Sequence, residues 1–115
     1  MGLYYKSTRN SNLKVTASEA ILKGLAPDGG LFVPSELPTL DVSMSDLKGK
    51  TYQEIAYRVM KQFLTDFTEE ELKSCIDKAY DSKFDTEEIA PLVKVDDTYY
   101  MELFHGATIA FKDMA

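Results

Sequence analysis

The chain has 115 residues, of which 44% are hydrophobic and 28% charged, as is typical of a globular domain. Its formal net charge of −6 disfavours general binding to nucleic acid or to anionic membrane surfaces, both of which need a basic face. The single cysteine excludes an intrachain disulfide, and the single histidine excludes a two-histidine metal site. Because no signal-peptide core and no membrane-length apolar stretch occurs, we expect a cytoplasmic protein without a membrane partner.

The first third of the chain predicts short strands around one helix. The aromatic-rich stretch "LYYKST" favours a strand. Thr16 followed by Glu19 has the spacing of a capping box, and Gly24 is suited to end the helix that the box begins.

A turn and a second extended run follow this helix. The sequence "PDGG" at residues 27–30 is typical of a turn, and residues 31–33 favour an extended conformation. We expect Pro34 and Pro38 to prevent regular structure nearby, since proline has no backbone N–H to donate.

The middle of the chain predicts two antiparallel helices joined by a short connection. Thr51 with Glu54 and Thr68 with Glu71 form two further capping boxes. Behind each box, apolar residues recur at intervals of three and four, which predicts one buried face per helix. These residues are Tyr52, Ile55, Ala56, Val59, Met60 and Phe63 in the first helix, and Leu72, Cys75, Ile76, Ala79 and Tyr80 in the second.

The last 25 residues predict a hairpin and then a turn into a helix. "LVKV" and "TYYMELF" alternate with a period of two around Asp96 and Asp97, which favours a hairpin turn there. "HGATIAFKDMA" then predicts a turn and a helix start. A helix that stops in its first turn leaves a face without a partner, so we expect the chain to be part of a longer protein. The predicted fold class is α+β.

Lys112 is the candidate catalytic residue, because it follows the apolar run "ATIAF" where the last helix begins. Apolar neighbours and a nearby helix N-terminus both favour the neutral amine, the form that bonds to an aldehyde cofactor. A thiol protease dyad of Cys75 and His105 is the competing chemistry. The apolar helix face around Cys75 disfavours that dyad.

Three stretches resemble the threonine synthase family, whose members are pyridoxal 5'-phosphate (PLP) enzymes with the tryptophan-synthase-β-like fold. They are "FHGATIAFKD" near the end, "YYKSTR" near the start and "EAILKGLAPDGGLFVP" between residues 19 and 34. The resemblance runs from Tyr4 to the last residue. Ala107 departs from it, since the family usually has proline there, which loosens the turn and leaves the register of Lys112 intact.

The resemblance implies that Lys112 holds PLP as a Schiff base and moves protons at the substrate. The implied substrate is O-phospho-L-homoserine, which with water gives L-threonine and phosphate in a reaction that requires no metal. It also implies that Phe111 lies against the cofactor ring. Substrate contacts are expected from Thr108, His105 and Arg9, although Thr108 also suits a helix N-cap and His105 a structural role.

The resemblance further divides the chain into an N-terminal domain at residues 1–88 and the start of the PLP-binding domain at residues 89–115. We expect these 115 residues alone to lack activity, because the cofactor's phosphate loop and ring-nitrogen partner lie downstream in the family. Two alternatives remain open. One is a threonine-synthase-like phospholyase or amino-acid dehydratase of the same fold; the other is a non-catalytic helical interaction domain. Oligomeric state is not predicted.

Overall fold

A computed structural model describes residues 2–115, within which three α-helices and two separate two-stranded sheets form. The order of elements is β1 (Tyr5–Ser7), α1 (Ala17–Lys23), β2 (Phe32–Pro34), α2 (Tyr52–Phe63), α3 (Glu69–Ala79), β3 (Leu92–Val95) and β4 (Thr98–Met101). Two 3₁₀ turns complete it, at Met44–Leu47 before α2 and at Phe111–Met114 near the end. The predicted α+β class is therefore confirmed. No helix within residues 2–115 is long and apolar enough to cross a bilayer.

The three predicted capping boxes all begin helices. Thr16, Thr51 and Thr68 each accept a hydrogen bond from the backbone N–H of the glutamate three residues on. Each glutamate carboxylate in turn accepts the backbone N–H of its threonine. Because these contacts satisfy N–H groups that the first helical turn leaves unpaired, the start of each helix is set by local sequence. Gly24 ends α1 with φ of 71°, a conformation that favours glycine.

The first sheet pairs β1 with β2 in antiparallel register, with Tyr5 opposite Pro34 and Ser7 opposite Phe32. The turn predicted at residues 27–30 joins α1 to β2, and the Gly29 N–H donates to Ala26 O at 2.9 Å. Pro34 is the last residue of β2, so our expectation that it would lie outside regular structure was wrong, whereas residues 35–43, around Pro38, form no helix or strand as expected. β2 is an edge strand, in which one missing N–H is tolerated.

The core lies between α2 and α3 and the segment that follows them. Its buried residues are Leu72, Ile76, Tyr80, Phe84 and Ile89. Tyr52, at the start of α2, contacts Tyr80, just after α3, edge to face with ring centroids 4.9 Å apart. That contact, together with the short connection between the helices, confirms the predicted antiparallel pair.

Two details of the helix prediction differ from the structure. Cys75 and Ala79 are exposed, because α3 and its C-cap bury only the row formed by Leu72, Ile76 and Tyr80. Cys75 lies about 100° around the helix axis from Ile76, outside that row. The predicted apolar face of α2 is half-buried throughout, since α3 and its following segment cover one side of α2 only.

The predicted hairpin forms between β3 and β4, with Val95 opposite Thr98 and Leu92 opposite Met101. Asp96 turns the chain with φ of 53°. Every residue of both strands is exposed. The chain then returns to the α2–α3 core, where the Asp85 N–H donates to His105 O at 3.1 Å.

Candidate active site around Lys112

Lys112 lies in the 3₁₀ turn Phe111–Met114, at the end of the segment 105–114 that we name the lysine loop. The sequence placed Lys112 among apolar side chains at the start of a helix. In the structure its side chain is exposed, and Phe111 and Ile109 beside it are 66% and 71% exposed. The apolar enclosure that we expected is therefore not formed by the described residues. The helix start is confirmed only as a single turn.

The turn that carries Lys112 is fastened to the core from its C-terminal side. The Tyr80 hydroxyl donates to the Met114 carbonyl oxygen at 2.7 Å, and the Met114 side chain packs on the core. Tyr80 is itself held between the rings of Tyr52 and Phe84. A buried aromatic residue of the helix pair thus fixes the backbone two residues after the lysine.

His105 fastens the other end of the lysine loop. Its Nε2 lies 2.9 Å from Glu102 Oε1, and its Nδ1 bonds to Asp85 Oδ1, in the segment after α3. Hydrogen bonds to Glu102 and then to Asp85 raise the pKa of His105 above its ordinary value of 6.5. The ring is 15% exposed and stacks on Phe104 with centroids 4.5 Å apart. These contacts give His105 a structural role, one of the two roles that the sequence left open.

Thr108 and Asp113 close the lysine loop on itself. The Thr108 N–H donates to Asp113 Oδ2 at 2.9 Å, and the Thr108 hydroxyl donates to Oδ1 at 2.7 Å. The helix N-cap role predicted for Thr108 was wrong, because the 3₁₀ turn is preceded by Ala110, which has no side-chain cap. Thr108 therefore bonds to the Asp113 side chain and does not cap the first backbone N–H groups of the turn Phe111–Met114.

Arg9, the remaining predicted site residue, takes part in a different cluster on the first sheet. The Arg9 guanidinium donates to the Asp28 carbonyl oxygen at 2.9 Å, and the Arg9 backbone N–H donates to Ser7 Oγ at 3.1 Å. The buried Ser7 hydroxyl donates to Asp28 Oδ1 at 2.7 Å, and the Gly30 N–H donates to the same oxygen at 2.9 Å. The hydrogen bond from Ser7, followed by that from Gly30, lowers the pKa of Asp28. Arg9 thus joins the two N-terminal motifs to each other.

The sequence analysis missed three acidic residues that organise these clusters: Asp28, Asp85 and Glu102. Asp28 had a local signal, since aspartate before two glycines often accepts the following N–H groups in a turn. Glu102 lies three residues before His105 and also had a local signal. Asp85 had none, because it meets His105 only after the hairpin folds back.

The residues of the lysine loop suit the covalent attachment of a carbonyl cofactor. An exposed amine on a fastened turn can be reached by an aldehyde, and the exposed Phe111 ring beside it can lie against a flat heterocycle. Within residues 2–115, no group of three or more histidine, cysteine or acidic side chains is arranged to hold a metal ion.

Comparison with known proteins identifies the family that this chain resembles. A family model described as "Threonine synthase N terminus" matches residues 4–80. Threonine synthase from Schizosaccharomyces pombe is 43% identical over 115 aligned positions, covering 96% of this chain and 22% of that protein. A crystal structure of PLP-bound threonine synthase from Brucella melitensis aligns with a TM-score of 0.87 at 36% identity, over 97% of this chain and 25% of that one. The yeast threonine synthase structure aligns with a TM-score of 0.79 at 36% identity, over 96% and 23%.

The chain thus spans about a quarter of the length of the relatives that it matches. The aligned part includes nearly all of this chain, and it extends beyond the residues that the family model covers.

Proposed function

The chain belongs to the threonine synthase N-terminus family, and from that premise we propose that it supplies the lysine of a PLP-dependent threonine synthase. The proposed reaction converts O-phospho-L-homoserine and water to L-threonine and phosphate. The observation that carries the proposal is Lys112 itself: an exposed amine on a turn that Tyr80 and His105 fasten to the core. The PLP-bound relative from Brucella melitensis, which aligns over 97% of the chain, supports it.

The cofactor, when bound, would accept the electron pair released as protons leave the substrate carbons. Lys112 would hold the cofactor through its Nζ, and its freed amine would move protons at the α and β carbons of the substrate. The Phe111 ring would lie against the cofactor. Loss of phosphate from the γ carbon and addition of water at the β carbon balance the reaction.

In this proposal the described residues would provide the attachment point, and other parts of such a site would have to be supplied. Around Lys112 they offer one amine and one exposed ring, and the chain spans about a quarter of its relatives. We therefore expect the 115-residue chain alone to release no phosphate from O-phospho-L-homoserine. The division at residue 88, and substrate contacts from Thr108, His105 and Arg9, stay predictions. Ile89, just after that division, is 1% exposed within the α2–α3 core.

Borohydride trapping tests the lysine assignment. The full-length protein is mixed with PLP, reduced, digested and mapped by mass spectrometry, with Lys112→Arg as the test variant and Lys94→Arg as the matched control. We expect a reduced cofactor adduct on Lys112 that disappears in the first variant and persists in the second. An adduct on another lysine, or none, would refute the proposal.

Substrate profiling then tests the reaction. Threonine formation from O-phospho-L-homoserine, with one phosphate released per threonine, is the expected result. If PLP attaches to Lys112 and the protein instead forms other products from a phosphorylated amino acid, it is a phospholyase of the same fold. Keto-acid formation from threonine or serine would identify a dehydratase.

A further inference from the structure

We propose that Asp113 and Thr108 are positioning residues for Lys112, and that their paired hydrogen bonds set the direction in which the lysine leaves its turn. The inference rests on the proposed function, because it assigns a role to residues around the proposed attachment lysine.

Both carboxylate oxygens of Asp113 are engaged by one residue. Oδ2 accepts the Thr108 N–H at 2.9 Å, and Oδ1 accepts the Thr108 hydroxyl at 2.7 Å. Hydrogen bonds to an ionised acceptor are roughly twice as strong as neutral ones, and two parallel bonds fix orientation as well as distance. The Asp113 side chain, directly after Lys112, is therefore locked to Thr108, five residues earlier in the chain.

Gly106 provides the space for this lock. A Cβ at position 106 would lie 2.5 Å from Asp113 Cβ and 2.8 Å from Asp113 Cγ. Real side chains do not approach that closely, so only glycine lets the Asp113 side chain lie across the start of the loop. The three residues Gly106, Thr108 and Asp113 form one unit, which we name the lysine brace.

The brace also holds a strained backbone between its ends. Ile109 has φ of 67°, a conformation that is unfavourable for a β-branched residue. Two local bonds retain it: the Ile109 N–H donates to Gly106 O at 3.1 Å, and the Asp113 N–H donates to Ala110 O at 3.1 Å. Without the brace, relaxation of Ile109 would turn the chain that leads into Lys112.

Lys112 directly precedes two fixed residues as a result. The brace holds Asp113, the next residue in sequence, and the Tyr80 hydroxyl holds Met114 one residue further on. The exposed lysine side chain has no hydrogen bond of its own among the described residues, so the brace acts on Lys112 through its backbone. Positioning of a reactive group through such a support contributes to rate by keeping the reacting atoms in a productive geometry.

The test uses the full-length protein with PLP and compares Asp113→Asn, Thr108→Val, Thr108→Ser and, as a matched control, Asp97→Asn in the exposed hairpin turn. Loss of one charge-assisted hydrogen bond changes an equilibrium constant by about tenfold or more. We expect Asp113→Asn and Thr108→Val to lower the rate of cofactor attachment to Lys112, and kcat, by about tenfold, with KM little changed. Thr108→Ser keeps the hydroxyl and should restore both rates to within about twofold of the parent, as should the control.

A second readout does not depend on activity. Amide hydrogen exchange at Asp113 and Ala115 should accelerate in Thr108→Val and not in Thr108→Ser, while exchange in α2 and α3 stays unchanged. If Asp113→Asn fails to fold, the valine and serine variants at Thr108 decide the question. Attachment rate and exchange equal to the parent in Thr108→Val would overturn the inference. A parent protein that attaches PLP to no lysine, or to another one, would overturn the proposed function instead.

Discussion

The hydroxyl of Tyr80 offers the most direct way to loosen the lysine turn without damaging the core. It donates to the Met114 carbonyl oxygen at 2.7 Å, whereas the ring is 8% exposed and packs against Tyr52 and Phe84. Tyr80→Phe removes the hydroxyl and keeps the ring. The variant therefore isolates one tether between the core and the turn that carries Lys112.

The size of the effect follows from the hydrogen bond that is lost. A neutral intramolecular hydrogen bond contributes about 0.5–1.5 kcal/mol net. Because the bond joins the core to the short turn Phe111–Met114, its loss lowers the free energy of opening the turn more than that of global unfolding. Opening should become about 2- to 12-fold more frequent, since 1.4 kcal/mol corresponds to about tenfold.

Amide hydrogen exchange measures that opening. The reporting amides are Asp113, which donates to Ala110 O, and Ala115, which donates to Lys112 O, each at 3.1 Å. The matched control is Tyr100→Phe in the exposed strand β4. Faster exchange at both amides in Tyr80→Phe, with α2 and α3 unchanged, is the expected result. Exchange at the parent rate would show that the tether does not hold the turn.

Three further predictions concern stability. Because the pKa of His105 is raised in the folded state, protonation of His105 stabilises the fold fully below about pH 6.5, its ordinary pKa. This contribution is lost as the pH rises through the raised pKa. The urea midpoint should therefore fall over that range in the parent and not in His105→Gln. Ile76→Ala should cost about 2–5 kcal/mol and Ile76→Val about 0.5–1.5 kcal/mol by urea melts; equal costs would show that Ile76 is not in a packed core. Thr68→Ala removes an N-cap and should cost about 1 kcal/mol, whereas Thr68→Ser should cost little in the same melts.

Most of the elements were predictable because their signals are local. The threonine and glutamate of each capping box lie three residues apart, so short sequence windows contain the whole interaction. The same holds for the turn at Asp96, where a period of two on either side leaves one place for the chain to reverse. Such features do not depend on what the rest of the chain does.

The features that were missed depend on tertiary contacts. Cys75 fits the spacing of a buried face, but the neighbouring helix covers a narrower row than the spacing allows. His105 and Asp85 are 20 residues apart and meet only because the hairpin between them folds back. The exposure of Lys112 was missed because an apolar sequence around a residue does not enclose it unless other segments cover those side chains.

The position and the surroundings of Lys112 are controlled by different residues. Its position is set by two hydrogen bonds from the core segment to the lysine loop. The Tyr80 hydroxyl donates to the Met114 carbonyl oxygen, and the Asp85 N–H donates to the His105 carbonyl oxygen. Its surroundings are set by neighbours such as Phe111, which is 66% exposed. Phe111→Leu should therefore alter what a bound cofactor ring contacts and leave backbone exchange in the lysine loop unchanged, whereas Tyr80→Phe should do the reverse. The two kinds of change can be separated because the loop is fastened by hydrogen bonds and by the Met114 side chain, whereas Ile109 and Phe111 stay exposed.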